Sequence, residues 1–369
     1  MKQINQLFSG FIMPLLLSAM LLTSCKKEAT GIPAGNLQLT AAIKTSLEVA
    51  ADSVFKTAYT PGMITIVSAD GEEDFIIKRG VGNLATGEPM SENSFWRIAS
   101  NTKTYTGAAV LILADEGKIV LDSSISYYLP AYNIPRGNKI TVRMLGNMTS
   151  GLFNYTDDQN LWNRMHADNH VTTYPPDSML AIAFQHPNNF DPGTAYEYCN
   201  TNTVLLGLLM EKVTGKPARV VIEEKLLKPL KLVNTYWGGS FFLQTPYIHG
   251  YNRDYGPILD ASNWNPSWGY TAGAMISNFA DMKVWAKVVA EGSLLSDKMK
   301  QERFKWIGDH YGFCVMKAGN WIGHPGSITG YNSHVLYHPA RKLTLIILTN
   351  MDTDSPVEAF SEAFRTILN

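Results

Sequence analysis

Cysteine is scarce in this chain, with three in 369 residues. No Cys and His residues fall at metal-ligand spacing, so no metal is expected, and no cofactor motif is read. Cys199 and Cys314 allow one disulfide at most, which is no framework for a large domain. Neither sign of charge is in excess: 31 Lys and Arg stand against 32 Asp and Glu. That balance removes the basic field of a nucleic-acid binder and the polybasic stripe of an anionic-membrane binder. Internal repeats and low-complexity segments are also missing. Beyond the first 25 residues no stretch is long and apolar enough to span a bilayer. What remains is a length and composition that suit one large domain or two modest ones with a sizeable core.

The one long apolar run, Phe11 to Leu22, follows Lys2 and contains Pro14. It is too short for a comfortable membrane span and suits the core of a secretory leader. It ends in Leu22-Thr23-Ser24-Cys25, which resembles a bacterial lipobox. The expectation is a lipoprotein signal peptide over 1–24, lipidation at Cys25, a tether over 25–37 and one domain over 38–369. An ordinary leader with a chance Cys is the plainer alternative. The resemblance implies an exported protein held at a periplasmic or cell-surface membrane by its lipid.

Helical periodicity runs from Leu39 to Tyr59 and stops at Thr60-Pro61-Gly62. Met63 to Ala69 and Phe75 to Val81 read as a hairpin through Asp70-Gly71. Thr102 to Gly117 is apolar nearly all round, as in a helix buried on most faces. From about 121 to 263 the text is mostly helical patches, loops and aromatics, with Thr203 to Thr214 its clearest helix. Asp281 to Glu291 is a further helix. Strands return at Tyr311 to Lys317, Asn332 to Tyr337 and Leu343 to Asn350, and Pro356 to Leu368 closes as a helix. The predicted fold is α+β: an antiparallel sheet flanked by N- and C-terminal helices, with an inserted, mostly helical subdomain.

Three short motifs carry chemistry. In Ser100-Asn101-Thr102-Lys103, residues three apart share a helix face, so Lys103 can take the proton that makes the Ser100 hydroxyl a nucleophile. The spacing alone is weak, because Ser24 to Lys27 and Ser53 to Lys56 repeat it. Only Ser100 opens a buried helix, whose N-terminus also favours negative charge. Tyr198-Cys199-Asn200 is the only Tyr-x-Asn in the chain. In an extended segment both side chains point the same way: the phenol can relay a proton and the amide can hold a carbonyl. Seen alone, Asn200 reads equally as a helix cap. In Gly323-His324-Pro325-Gly326-Ser327 the glycines let a substrate approach a strand edge. The Ser327 N–H can share an oxyanion hole with that of Ser100. His310-Tyr311-Gly312 also fits His-x-Gly, so this motif too is unspecific alone.

In this order and at these separations, the three motifs resemble the family of serine D-Ala-D-Ala carboxypeptidases, class C β-lactamases and related esterases. Supporting text includes Leu113 to Lys118, Ile140 to Arg143, Thr149-Ser150-Gly151-Leu152, Pro192 to Tyr196 and Trp268 to Gly273. The resemblance implies Ser100 as acylated nucleophile, Lys103 as proton acceptor and Tyr198 as general acid/base. It implies Asn200, His324, Gly326 and Ser327 as substrate-binding, with Trp268 at a cleft position; a packed core Trp is the equal alternative there. Three positions depart from the carboxypeptidase type: Pro325 replaces a hydroxyl residue, Met316 falls near the carboxylate-binding Arg, and Met148 replaces a His. The implied activity is D-Ala-D-Ala carboxypeptidase-like, on cell-wall peptides. Esterase, D-aminopeptidase and β-lactamase activities on the same fold are alternatives. From another class, a non-catalytic binding lipoprotein remains. Implied partners are peptide or ester small molecules, peptidoglycan, β-lactams as covalent ligands and a membrane through the lipid; nucleic acid is not among them.

Overall fold

Thr40 opens the first helix, Ala41–Thr57, by accepting the Ile43 N–H on its hydroxyl at 3.3 Å. The structure is a computed structural model and describes residues 37–238 and 243–369. The expected leader, Cys25 and all but the last tether residue lie outside the described residues. After Pro61 the chain enters β1 (Gly62–Ala69) and returns as β2 (Phe75–Gly80). The turn between them spans 70–74 and is longer than the Asp70-Gly71 hairpin read from the sequence.

Five short strands follow. β3 (Trp96–Arg97), β4 (Tyr236–Trp237) and β7 (Met275–Ser277) make one small sheet, and β5 (Tyr251–Asn252) pairs with β6 (Leu259–Asp260). The last third supplies β8 (Met316–Ala318), β9 (Trp321–Ile328), β10 (Tyr331–His338) and β11 (Leu343–Thr349). The main sheet has six antiparallel strands in the order β2-β1-β11-β10-β9-β8. β1 lies against β11, with Ile66 opposite Ile346, so the two ends of the domain meet in the middle of the sheet.

The period-two alternation of strand side chains divides the core. Met63, Val67, Leu345 and Ile347 face the helices Ala41–Thr57 and Val357–Leu368, where Leu47, Ala51, Phe360 and Phe364 cover them. Ile64, Ile66, Ile346 and Leu348 face the helical region on the other side. Because both faces are covered, β10 and β11 are buried at every residue and show no polar alternation. The α+β architecture with terminal helices on one sheet face is the one expected.

Two segments differ from the sequence reading. Of Tyr311 to Lys317, only Met316 and Lys317 lie in a strand. The rest is a tight turn, with Gly312 N–H donating to Val315 O at 2.9 Å and Cys314 at φ 53°. Cys314 fills the space left by Gly107, where an added Cβ would stand 2.5 Å from that of Cys314. Conversely, β9 was not legible as a strand, because Gly323, Pro325 and Gly326 erase its propensity. It exists because β10 pairs with it along nearly its whole length.

Candidate active site

Ala99–Asn101 form one 3₁₀ turn that runs straight into the buried helix Thr102–Asp115. Ala99 has φ 51°, the left-handed region that costs a non-glycine residue about 1 kcal/mol or more. The turn is held in that shape from both sides. Asn101 Nδ2 donates to Ile98 O at 3.0 Å and to Ser333 Oγ on β10 at 3.2 Å. The Ile98 N–H donates to Met275 O on β7 at 3.1 Å. Ser100 therefore sits at the mouth of a helix on a rigid, strained elbow.

Lys103 follows one turn later and is fully buried. Its Nζ donates to Ser100 Oγ at 3.0 Å, to Asn200 Oδ1 at 2.6 Å and to the Ala272 carbonyl at 2.8 Å. Burial pushes its pKa from the ordinary lysine value of 10.5 down to about 7. Among the described residues no carboxylate is bonded to this amine to pull it back. A lysine poised near neutrality can give up its proton to solvent and then take one from the serine.

Tyr198 approaches from the other side, and its hydroxyl donates to Ser100 Oγ at 2.9 Å. Burial raises its pKa well above the phenol range. The Lys103 ammonium lies 4.9 Å from the centre of its ring. The nucleophile oxygen thus has two proton-carrying neighbours, one at each end of a transfer path. Asn200, the first residue of the helix Asn200–Thr214, is fixed by three bonds. Its oxygen accepts a hydrogen bond from Lys103 Nζ, its Nδ2 donates to Thr156 Oγ1 at 3.0 Å, and its N–H donates to Asn154 Oδ1 at 3.0 Å. The cap reading of Asn200 fails, since no side-chain bond caps that helix.

His324 lies on β9, buried beside Tyr198 with ring centres 6.0 Å apart. Its Nδ1 meets the Pro325 carbonyl at 2.6 Å and its Nε2 meets Tyr311 Oη at 3.3 Å. A carbonyl only accepts, so Nδ1 carries the proton and Nε2 accepts from Tyr311. Burial holds its pKa down to about 3, and the nearby Lys103 acts in the same direction. His324 is a neutral acceptor in this site.

The edge of β9 follows from its two turns. β8 and β9 are joined through Gly319-Asn320 with Ala318 opposite Trp321, and β9 and β10 through Thr329-Gly330 with Ile328 opposite Tyr331. Two-residue hairpins close on a hydrogen-bonded pair, and bonded pairs alternate from there. Even-numbered residues of β9 therefore bond β10, and odd-numbered ones point the other way. β8 ends at Met316, opposite Gly323, leaving Pro325 and Ser327 on an open edge. Proline is tolerated there because no neighbouring strand asks for its N–H. The Ser327 N–H points into that edge. Gly326 lets β9 press against the serine elbow: an added Cβ would stand 2.6 Å from Ile98 O and 2.8 Å from Asn101 Nδ2.

Trp268 is placed one layer back. Its ring packs edge-on to Trp162 at 5.2 Å, and its carbonyl accepts from Tyr155 Oη at 2.8 Å. Trp162 Nε1 donates to Thr156 O at 2.7 Å, which links the pair to Thr156 and so to Asn200. Among the described residues, Cys199 and Cys314 are free and buried. Burial raises Cys199 to about 11 and Cys314 to about 12. Among the described residues no group of His, Cys, Asp and Glu could hold a metal ion.

Sequence reasoning missed Asn154, Thr156, Tyr311 and the Ala272 carbonyl. A carbonyl leaves no mark in a sequence. The other three act through contacts 13 to 46 residues away along the chain, which no local pattern encodes.

The family described as Beta-lactamase matches residues 51–365. Among solved structures, a D-stereospecific amidohydrolase from Streptomyces sp. is 29% identical with a TM-score of 0.77, covering 88% of this chain and 97% of its own. A D-amino acid amidase from Ochrobactrum anthropi SV3 has a TM-score of 0.75 at 22% identity, covering 89% of this chain and 100% of its own, and shows the fold. Among curated relatives, protein flp of Staphylococcus aureus is 24% identical over 80% of this chain. The chain spans 61% of the length of that relative.

Proposed function

The chain belongs to the beta-lactamase family, and on that footing we propose that it is a serine hydrolase that opens amide or ester bonds of small D-amino-acid derivatives through an acyl-Ser100 intermediate. Lys103 takes the Ser100 proton as the oxygen attacks the carbonyl carbon. The oxyanion gathers between the Ser100 and Ser327 N–H groups, and Tyr198 protonates the departing amine or alkoxide. Water then attacks the ester and the same groups run in reverse. The single observation that carries this reading is the convergence of the Lys103 and Tyr198 donors on Ser100 Oγ.

Two features favour an amide or ester over a peptide with a free C-terminal carboxylate. Pro325 offers neither hydroxyl nor N–H at the open edge. Lys317, the cation beside Met316, is engaged with Asp309 at 2.8 Å. The similarity to a D-stereospecific amidohydrolase points the same way. A panel of D-phenylalanine amide, L-phenylalanine amide, a p-nitrophenyl ester, nitrocefin and acyl-D-Ala-D-Ala tests this. The D-amide or the ester should exceed acyl-D-Ala-D-Ala in kcat/KM by at least about tenfold. Preference for the free-carboxylate peptide would restore the carboxypeptidase reading.

The export reading rests on residues 11–25 alone and remains part of the proposal. Cys25→Ala in the full chain should move the protein from the membrane fraction to the soluble fraction of its host. Unchanged membrane retention would remove the lipid anchor from the proposal.

A further inference from the structure

Four residues between the second and third motifs bear on Lys103 without touching the nucleophile. The turn Tyr270–Gly273 lies between the two motif helices. Thr106 Oγ1, from the serine helix, donates to Thr271 O at 2.8 Å. Thr271 Oγ1 donates to Thr203 O, on the helix Asn200–Thr214, at 2.7 Å. The next carbonyl, that of Ala272, accepts from Lys103 Nζ. The turn thus fastens one helix to the other and presents an acceptor to the amine between them.

Tyr270 enters this turn in a backbone conformation few side-chain-bearing residues adopt, φ 36° and ψ −131°. Such geometry persists only where the surroundings over-determine it. Here they do. The Tyr270 hydroxyl donates to Glu211 Oε1 at 2.7 Å, and Glu211 is itself anchored by accepting the Ala218 N–H at 2.9 Å. The ring packs edge-on to Trp237 at 5.5 Å. Gly207 leaves room for it, since an added Cβ there would stand 2.6 Å from Tyr270 Cε1 and 2.4 Å from Thr271 Oγ1. A glycine inside a helix costs about 1 kcal/mol relative to alanine, so the notch is a specific accommodation of this turn.

We propose that Tyr270 is a positioning residue for the reaction: tied to Glu211, its strained backbone holds the Ala272 carbonyl on Lys103 and so aims the Lys103 amine at Ser100. This rests on the reading of Lys103 as the proton acceptor. Without the tie, the turn relaxes and the amine loses one of its three fixed acceptors. An acceptor stabilises the ammonium more than the neutral amine, so Lys103 becomes easier to deprotonate and worse aimed.

The test is the pH dependence of Ser100 phosphonylation by a fluorophosphonate probe, in which the serine oxygen displaces fluoride from phosphorus, a readout independent of the natural substrate. The titratable groups around Lys103 are Tyr198, Cys199, Cys314 and His324. Burial raises the phenol and both thiols and lowers the imidazole, so all are neutral near pH 7 and the acidic limb reads Lys103. In Tyr270→Phe and Tyr270→Gly that limb should move about 0.5 to 1 pH unit to the acid side. The plateau rate per titrated site should fall about tenfold. Glu211→Gln, which keeps an acceptor oxygen, should move both less than Glu211→Ala. A limb that stays in place, with a plateau within twofold of wild type in folded variants, overturns the inference and leaves the functional reading intact. Failure of the probe to label wild-type Ser100 overturns both.

Discussion

Ser100→Ala should abolish covalent labelling by a fluorophosphonate and lower hydrolysis of the best panel substrate by about 10⁵-fold or more, to the residual rate that binding and the oxyanion hole supply. The size of the loss follows from the geometry. Lys103 and Tyr198 both donate to the Ser100 oxygen, and burial keeps the neighbouring Cys199 and Cys314 thiols protonated. Without that oxygen the proton relay has nothing to relay. Ser100 makes no large packing contribution, so the variant should fold and melt close to wild type. Intact mass after incubation with the probe reads the result directly. An adduct of equal stoichiometry on the Ala variant would place the nucleophile elsewhere and overturn the mechanism from its first step.

Lys103→Ala should cost about 10² to 10⁴ in kcat/KM, the range expected for a positioned general base. The pH profile makes the prediction sharper. Wild-type kcat/KM should rise through about pH 7 as the buried amine loses its proton, and Lys103→Ala should lack that limb. Stability should respond as well. The folded pKa lies below the unfolded one, so between about 7 and 10.5 the unfolded chain holds the extra proton. This group therefore makes stability rise with pH across that window, and penalises the fold below it. Lys103→Met keeps the volume and removes the penalty, and should melt higher than wild type at pH 6 while remaining inactive. A Met variant that is less stable at pH 6 would mean that the bonds to Asn200 and Ala272 outweigh the burial of charge.

What the sequence revealed of the site, and what it hid, divides along physical lines. Ser100 and Lys103 were legible because their relation is local: one helical turn, opening an apolar run. Tyr198 and Asn200 were legible as a proton-relaying phenol beside a carbonyl-holding amide, but their motif alone fit a helix start equally well, since the serine and amine they meet lie 95 or more residues earlier. His324 lies beside Tyr198, and its electrical character was not visible in the sequence. The residue type alone leaves its protonation open, whereas the Pro325 carbonyl and Tyr311 hydroxyl fix it as a neutral acceptor. The strand that carries it was hidden, because glycine and proline lower β-propensity where pairing with β10 restores it. The helix of residues 102–115 and the meeting of the two terminal helices were legible, as both follow from apolar periodicity and from strands at each end of the chain. The strained Ala99 and Tyr270 were not, since neither residue type advertises a positive φ.

The two cysteines bear on how this site can be interrogated. Cys199 and Cys314 are thiols sealed in the core, and burial keeps both protonated far above neutral pH. A sealed, protonated thiol is a poor competitor for an electrophile. Within the described domain, these two thiols therefore do not draw an electrophile away from the Ser100 oxygen. Chemoselectivity that usually has to be designed into the probe is supplied here by the packing of the protein.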